Sequence, residues 1–219
     1  MGTQIGKLGP IIASLWKGRK VYRAYNPFVR DANTLKQQLN RAIFKTVAQL
    51  AAILSSAINH GYAYVADQEH NIPRALFTRD NYHFFHASTP DSVSVDYPDL
   101  ILARGSMHTP HFGTPSFVSP SRIVIPFDGT LIGAATDNDL ICVTVYCPDT
   151  RECVFDKSAK RSDGSAVVDV PAHWSGKKVH LWGFAMANVD QPTFLPNLNG
   201  YIYPGQCSNS TYVGTGNIG

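Results

Sequence analysis

The chain has 219 residues, 44% of them hydrophobic and 16% charged, with a formal net charge of +3. This apolar content is enough for a sizeable core and excludes a wholly disordered chain. The charge is unevenly spread: the first 45 residues carry nine Lys or Arg against Asp31 alone, a net +8, so the other 174 carry −5, and because buried charges are rare the asymmetry describes a surface that a partner meets.

In chain order, residues 2–30 interleave Gly2, Gly6, Gly9, Pro10, Gly18 and Pro27 with apolar residues of no steady period. This predicts an extended basic arm over 1–30 rather than a packed element. Lys7 is the only early charge and Pro10 interrupts the apolar run Leu8–Trp16, which argues against a secretory signal and for folding in the cytoplasm. Thr34 with Gln37 has the form of a capping box, and Leu35, Leu39, Ile43, Val47, Leu50, Leu54 and Ile58 recur at helical spacing up to Gly61, predicting one amphipathic helix. Pro73 opens a second, shorter helix through Arg74–Phe85. A helical segment over 31–96 packing on the body is therefore expected. The longest low-charge helical stretch, Val47–Ile58, falls well short of the about 20 residues a membrane span needs, so no membrane partner is expected.

From Tyr97 onward, short runs rich in β-branched and aromatic residues appear at Leu100–Ala103, Arg122–Phe127, Leu140–Cys147, Glu152–Asp156, Ala166–Val170, Val179–Ala187, Tyr201–Tyr203 and Thr211–Val213. Turn signals at Pro148-Asp149-Thr150, Asp163-Gly164 and Ser175-Gly176 separate them, which predicts an Ig-like antiparallel β-sandwich over 97–219. Val179–Ala187 is apolar on both faces and should be a central strand, covered on its second side by the helix.

Motifs for chemistry are sparse. The terminal Gly214-Thr215-Gly216-Asn217-Ile218-Gly219 spells a G-x-G-x-x-G, but no helix follows to hold a phosphate, so a flexible small-residue tail is expected. His83/His86 and His108/His111 have no Cys or carboxylate at ligand spacing, and no metal or cofactor is expected. Cys142, Cys147, Cys153 and Cys207 have no Cys-x-x-Cys spacing and read as free, mostly buried thiols. With no G-x-S-x-G elbow, paired carboxylates or Walker loop, the chain is expected not to be an enzyme.

The segment Trp16-Lys17-Gly18-Arg19-Lys20-Val21-Tyr22-Arg23-Ala24-Tyr25 interleaves cations with aromatics. Three readings fit it: a protein interface anchored by Trp16, Tyr22 and Tyr25 with Lys17, Arg19, Lys20 and Arg23 around them; a strand on the body with its charges solvated; and an arm that contacts nucleic acid through phosphate pairing and base stacking. The protein interface is preferred. Trp174, Tyr201 and Tyr203 read as exposed aromatics of a ligand or partner loop.

Trp16-Lys17-Gly18, Thr34…Gln38…Arg41…Phe44, Leu102-Ala103-Arg104-Gly105-Ser106, Ala159-Lys160-Arg161, Pro171-Ala172-His173-Trp174-Ser175-Gly176 and Ser208-Asn209-Ser210-Thr211-Tyr212-Val213-Gly214 together make the chain resemble an uncharacterised protein family abundant in Bacteroidota and their bacteriophages. The resemblance spans nearly the whole chain except the Pro- and Asn-rich stretch Gln191–Gly205, and brings no catalytic residues with it. It implies architecture and source better than activity. With no signal peptide, few charges and a small sandwich behind an extended terminus, the chain is expected to be a structural, homo-oligomeric component of a phage virion (capsid, neck or tail), made in the bacterial cytoplasm, with other virion subunits as partners. A carbohydrate- or receptor-binding surface module is the alternative, and a nucleic-acid-binding protein the second.

Overall fold

The computed structural model describes residues 5–16, 18–28, 31–119, 121–196 and 199–219. Strand exceeds helix, 39% to 26%, so the mainly β expectation holds. The chain divides into two compact units, residues 1–38 and 39–219.

The first unit differs from the expected extended arm. Strands β1 (Gly6–Leu8), β2 (Ile11–Trp16) and β3 (Arg19–Ala24) form an antiparallel meander. The glycines that read as breakers are its turns: Gly9 at φ 60° and Gly18 at φ 78° take the left-handed conformation that two-residue hairpin loops require. The capping box forms as expected. The Thr34 N–H donates to Gln37 Oε1 at 3.1 Å, and the Gln37 N–H donates to Thr34 Oγ1 at 3.4 Å.

In the second unit the expected single helix is broken. Helix α1 (Leu35–Ile53) and α2 (Ser55–Gly61) meet at an angle of 83°. Gly61 does more than stop the helix, because a Cβ there would collide with the Leu102 carbonyl and Ala103. Helices α3 (Ala63–Gln68) and α4 (Pro73–Asn81) follow, the latter with Pro73 in its first turn. A hairpin of β4 (Phe85–Thr89) and β5 (Ser92–Val95) then occupies part of the segment expected to be helical.

Two antiparallel sheets make the β body. A three-stranded sheet runs in the order β10 (Ser165–Asp169), β7 (Arg122–Pro126), β6 (Ser116–Ser119), and a four-stranded one in the order β14 (Thr211–Asn217), β11 (Lys178–Met186), β8 (Leu140–Cys147), β9 (Glu152–Lys160). A small hairpin joins β12 (Thr193–Leu195) to β13 (Gly200–Ile202). Alternation along the strands sends Ile141, Val143 and Val145 of β8 and Val179, Leu181 and Ala185 of β11 into one core with Ile123, Ile125, Ala166 and Val168 of the smaller sheet. The opposite face sends Tyr146 and Trp182 against Val47, Leu50, Leu54, Ile58 and Phe77 of the helices. Strand β11 is therefore central and covered on both sides, as its sequence predicts.

Three expectations are corrected. Leu100–Ala103 is buried but is no strand. The buried Asn81 side chain replaces the missing neighbour, accepting from the Ile101 N–H at 2.7 Å and donating to its carbonyl at 2.9 Å. The segment is held further by the Ser210 Oγ, which accepts from the Leu102 N–H, and by Asn209 Oδ1, which accepts from the Gly105 N–H. The glycine tail is strand β14, where Gly216 leaves space that the Phe117 ring fills. Trp174 is fully buried, as taken up below. The four cysteines are free thiols, three buried and Cys153 partly so.

The ion pair between Arg161 and Asp139 is fully enclosed. Arg161 Nε donates to Asp139 Oδ2 at 3.2 Å, and its other nitrogens reach the carbonyls of Thr130 at 3.3 Å and His108 at 3.0 Å. Thr136 completes the shell of Asp139 through its N–H at 2.9 Å and its hydroxyl at 2.7 Å. The pair ties His108 and the loop over residues 130–139 to the end of β9. Removing one partner strands a charge in the interior, so Asp139→Ala should cost about 3–5 kcal/mol, read as a shift of the urea midpoint, and Asp139→Asn distinctly less. Trp182→Ala should cost a similar about 3–5 kcal/mol by opening a cavity between β11 and the helices. An unchanged midpoint in either alanine variant would contradict the burial described here.

Candidate interaction surface on the N-terminal sheet

Register decides what the meander presents. Lys7, Ile12 and Arg23 lie opposite one another across the three strands, as do Gly6, Ala13 and Tyr22. One face therefore carries Lys7, Ile12, Ser14, Trp16, Arg19, Val21 and Arg23, and the other Leu8, Ile11, Ala13, Leu15, Lys20, Tyr22 and Ala24. Tyr25 extends β3, donating its N–H to the Pro10 carbonyl at 2.6 Å, and its ring lies 3.7 Å from Lys7 Nζ, a cation–π contact. The first face is basic and aromatic. The second is apolar with one lysine.

Both faces are open. Trp16 is 49% exposed and Tyr22 62%, and Leu8, Ile11, Leu15 and Val21 are exposed as well, while Ala13 is buried. The outer edges of β1 and β3 pair with no other strand among the described residues. The sequence-predicted residues are thus brought onto one small sheet but divided between its faces: Trp16, Arg19, Arg23 and Tyr25 on one, Lys20 and Tyr22 on the other. Lys17 lies outside the described residues.

The second predicted group is also divided. Tyr201 and Tyr203 are exposed on the β12–β13 hairpin, where exposed Phe194 lies 5.3 Å from Tyr201. Trp174 is withdrawn from any ligand role, because its indole N–H donates to Glu152 Oε2 at 2.7 Å. The Nε2 of His173 meets the same oxygen at 2.6 Å. These two contacts, Trp174 first, hold the Glu152 carboxyl down at about 2.

The remaining motifs have structural partners. His86 pairs with Asp96 at 2.9 Å, the His83 ring lies against Phe84, the His108 carbonyl accepts from Arg161, and the His111 N–H donates to Asp128. Among the described residues, no three His, Cys, Asp or Glu side chains gather as metal ligands do. Burial pushes the Cys153 and Cys207 thiols up to about 12, so they are not thiolate nucleophiles at neutral pH. One concave feature had no sequence signal: a cleft between α1, the β4–β5 hairpin and the β8–β9 turn. Its residues come from three separate stretches of chain.

The class so defined is a mainly β chain with a helical layer on its larger sheet and a small, open, basic N-terminal sheet. It belongs to a family of unknown function, DUF6266, whose family model matches residues 3–192. The match ends within the Gln191–Gly205 stretch and leaves strands β12, β13 and β14 outside it. No curated protein matches the chain.

The Glu152 contacts generate a pH prediction. A carboxyl whose pKa is depressed in the folded state contributes stability above its unfolded value, and that contribution disappears as pH falls through the folded one. The Glu152 contribution should therefore be complete above 4.5 and gone near pH 2. The melting temperatures of the unmodified chain and of Glu152→Gln should differ most near pH 6 and converge toward pH 2. A gap that stays constant across this range would contradict the ionic role of Glu152.

Proposed function

We propose that this chain is a non-enzymatic assembly protein that docks onto neighbouring subunits through its N-terminal sheet. The observation that carries the proposal is the open meander itself. A three-stranded sheet needs a covered apolar face to be stable, yet Leu8, Ile11, Leu15 and Tyr22 are exposed, and large exposed apolar patches mark interaction sites. The charge split supports association between copies, since the basic segment of one chain complements the acidic remainder of another. Contacts of this head-to-tail kind build rings or filaments.

In its most specific form the proposal makes the assembly a bacteriophage particle, with the chain a capsid, neck or tail subunit made in the bacterial cytoplasm and other virion subunits as partners. The two sheets that share one core support reading residues 97–219 as an Ig-like sandwich, a scaffold suited to such repetition. A second reading, a carbohydrate- or receptor-binding module, is favoured by the exposed Phe194, Tyr201 and Tyr203. Glycan-array binding lost in Tyr201→Ala, with self-association intact, would select it.

The test is sedimentation of the full chain and of a form lacking residues 1–30, which lie outside the second compact unit. The shortened chain should keep its circular dichroism and lose its assembly. Tyr22→Ala should weaken association by about 2 kcal/mol or more, and Lys17→Ala by less than about 1, because desolvated aromatic anchors outweigh rim charges. A nucleic-acid surface gives the reverse ranking and a steep loss of binding with salt. Full-size assemblies of the shortened chain would overturn the proposal.

A further inference from the structure

The cleft of the second unit has a volume of about 500 Å³, within the about 300–1,000 Å³ of small-molecule sites. Its apolar wall comes from Leu50 of α1 with Val93 and Val95 of β5. Its polar groups converge from elsewhere: Lys45 on the same helix face, the tyrosines Tyr97 and Tyr146, Asp91 at the β4–β5 turn and Arg151 in the β8–β9 turn.

Arg151 is the unusual member. It has φ 55°, a left-handed conformation that favours Gly or Asn and strains a long side chain. It is also uncommitted. Arg74, Arg79, Arg104, Arg122 and Arg161 each bond a carbonyl or carboxylate, whereas no hydrogen bond or ion pair engages the Arg151 guanidinium among the described residues. That guanidinium acts electrostatically on both Tyr97 and Tyr146, so cation and hydroxyls share one end of the cleft. The tyrosines are held from behind. The Tyr97 ring stacks on His180 at 4.3 Å, and His180 Nδ1 lies 2.7 Å from the Tyr212 hydroxyl, an arrangement that fixes the first layer through a second.

We propose that this cleft binds a sugar-sized ligand bearing one oxyanion, a carboxylate or a phosphate, that Arg151 and Lys45 pair with while the Tyr97–Tyr146 hydroxyl pair, which uses one of its two protons internally, donates the other to it. A guanidinium beside a hydroxyl donor matches the forked geometry of either oxyanion. Asp91, the only acidic residue of the lining, accepts hydrogen bonds and so suits the hydroxyls of the ligand's ring. The lining is therefore net cationic by one, which favours an anionic ligand over a neutral one. The inference does not depend on the assembly reading, because every lining residue belongs to the second unit.

Thermal shift and calorimetric titration of the full chain would test it with four probes: glucuronate, glucose 6-phosphate, glucose and inorganic phosphate. One of the two sugar anions should bind saturably and raise the melting temperature, and which one does so identifies the oxyanion. Glucose should not bind, and inorganic phosphate should bind more weakly than the sugar anion. Arg151→Gly relaxes the backbone strain, so it should keep or raise the melting temperature of the free chain and still weaken the sugar anion at least about tenfold. Tyr97→Phe should weaken it too. Binding of neither sugar anion, binding of glucose or inorganic phosphate as tight as theirs, or full affinity in Arg151→Gly would each overturn the proposal.

Discussion

Strand β11 sets the terms for the second unit. From Val179 to Met186 all of its residues are buried, so neither face can be left to water, and an antiparallel sheet that ordinarily solvates one side must here be covered on both. One cover is the three-stranded sheet, which supplies Ile123, Ile125, Ala166 and Val168. The other is the helical layer. Its geometry follows from the same demand, because the 83° break after α1 lets Leu50 and Ile58, from two different helices, both enter the core that holds Trp182. Close approach is then limited by side-chain volume, and glycine appears where it must. Gly183 on β11 leaves the space that the Phe112 ring occupies.

The two units follow opposite logic. The second buries its apolar surface and encloses even the Arg161–Asp139 charge pair. The first keeps exposed on one small sheet the kind of surface that the second removes from water. Burying one large apolar side chain is worth about 1.5–3 kcal/mol, so several exposed on a single face amount to a reserve of binding energy comparable to a protein's whole stability. A partner that covers them gains it.

Where one residue pattern had one structural meaning, it was legible in the chain. The Thr34–Gln37 capping box, the alternation of Leu140–Cys147 and the two apolar faces of the central strand read directly into the fold. The meander was hidden because apolar residues occur on both of its faces, which erases the period of two, and because glycines at 9 and 18 serve hairpin turns as readily as they break elements. The Phe85–Val95 hairpin was hidden by its short polar strands. Trp174 illustrates a different obstacle, since its burial depends on Glu152, 22 residues earlier, to take its N–H. The cleft had no local signature, because Lys45, Tyr97, Tyr146 and Arg151 meet only after both layers have formed. Arg151 was the one residue with a readable hint, a long side chain just after Pro148-Asp149-Thr150 in a tight turn.

The clamp between residues 100–105 and the strip at 207–210 has a kinetic consequence. The Leu102–Ser210 and Gly105–Asn209 hydrogen bonds close loops of 108 and 104 residues, and each such closure in an unstructured chain costs on the order of 4 kcal/mol of entropy. They can form cheaply only after the intervening sheets have shortened the path. Leu102 is buried on the helical side, so that side of the molecule must wait for strands made a hundred residues later. Its packing should be among the last events of folding, and a ribosome that has not yet released residue 210 holds a chain whose helical layer is still open at this seam.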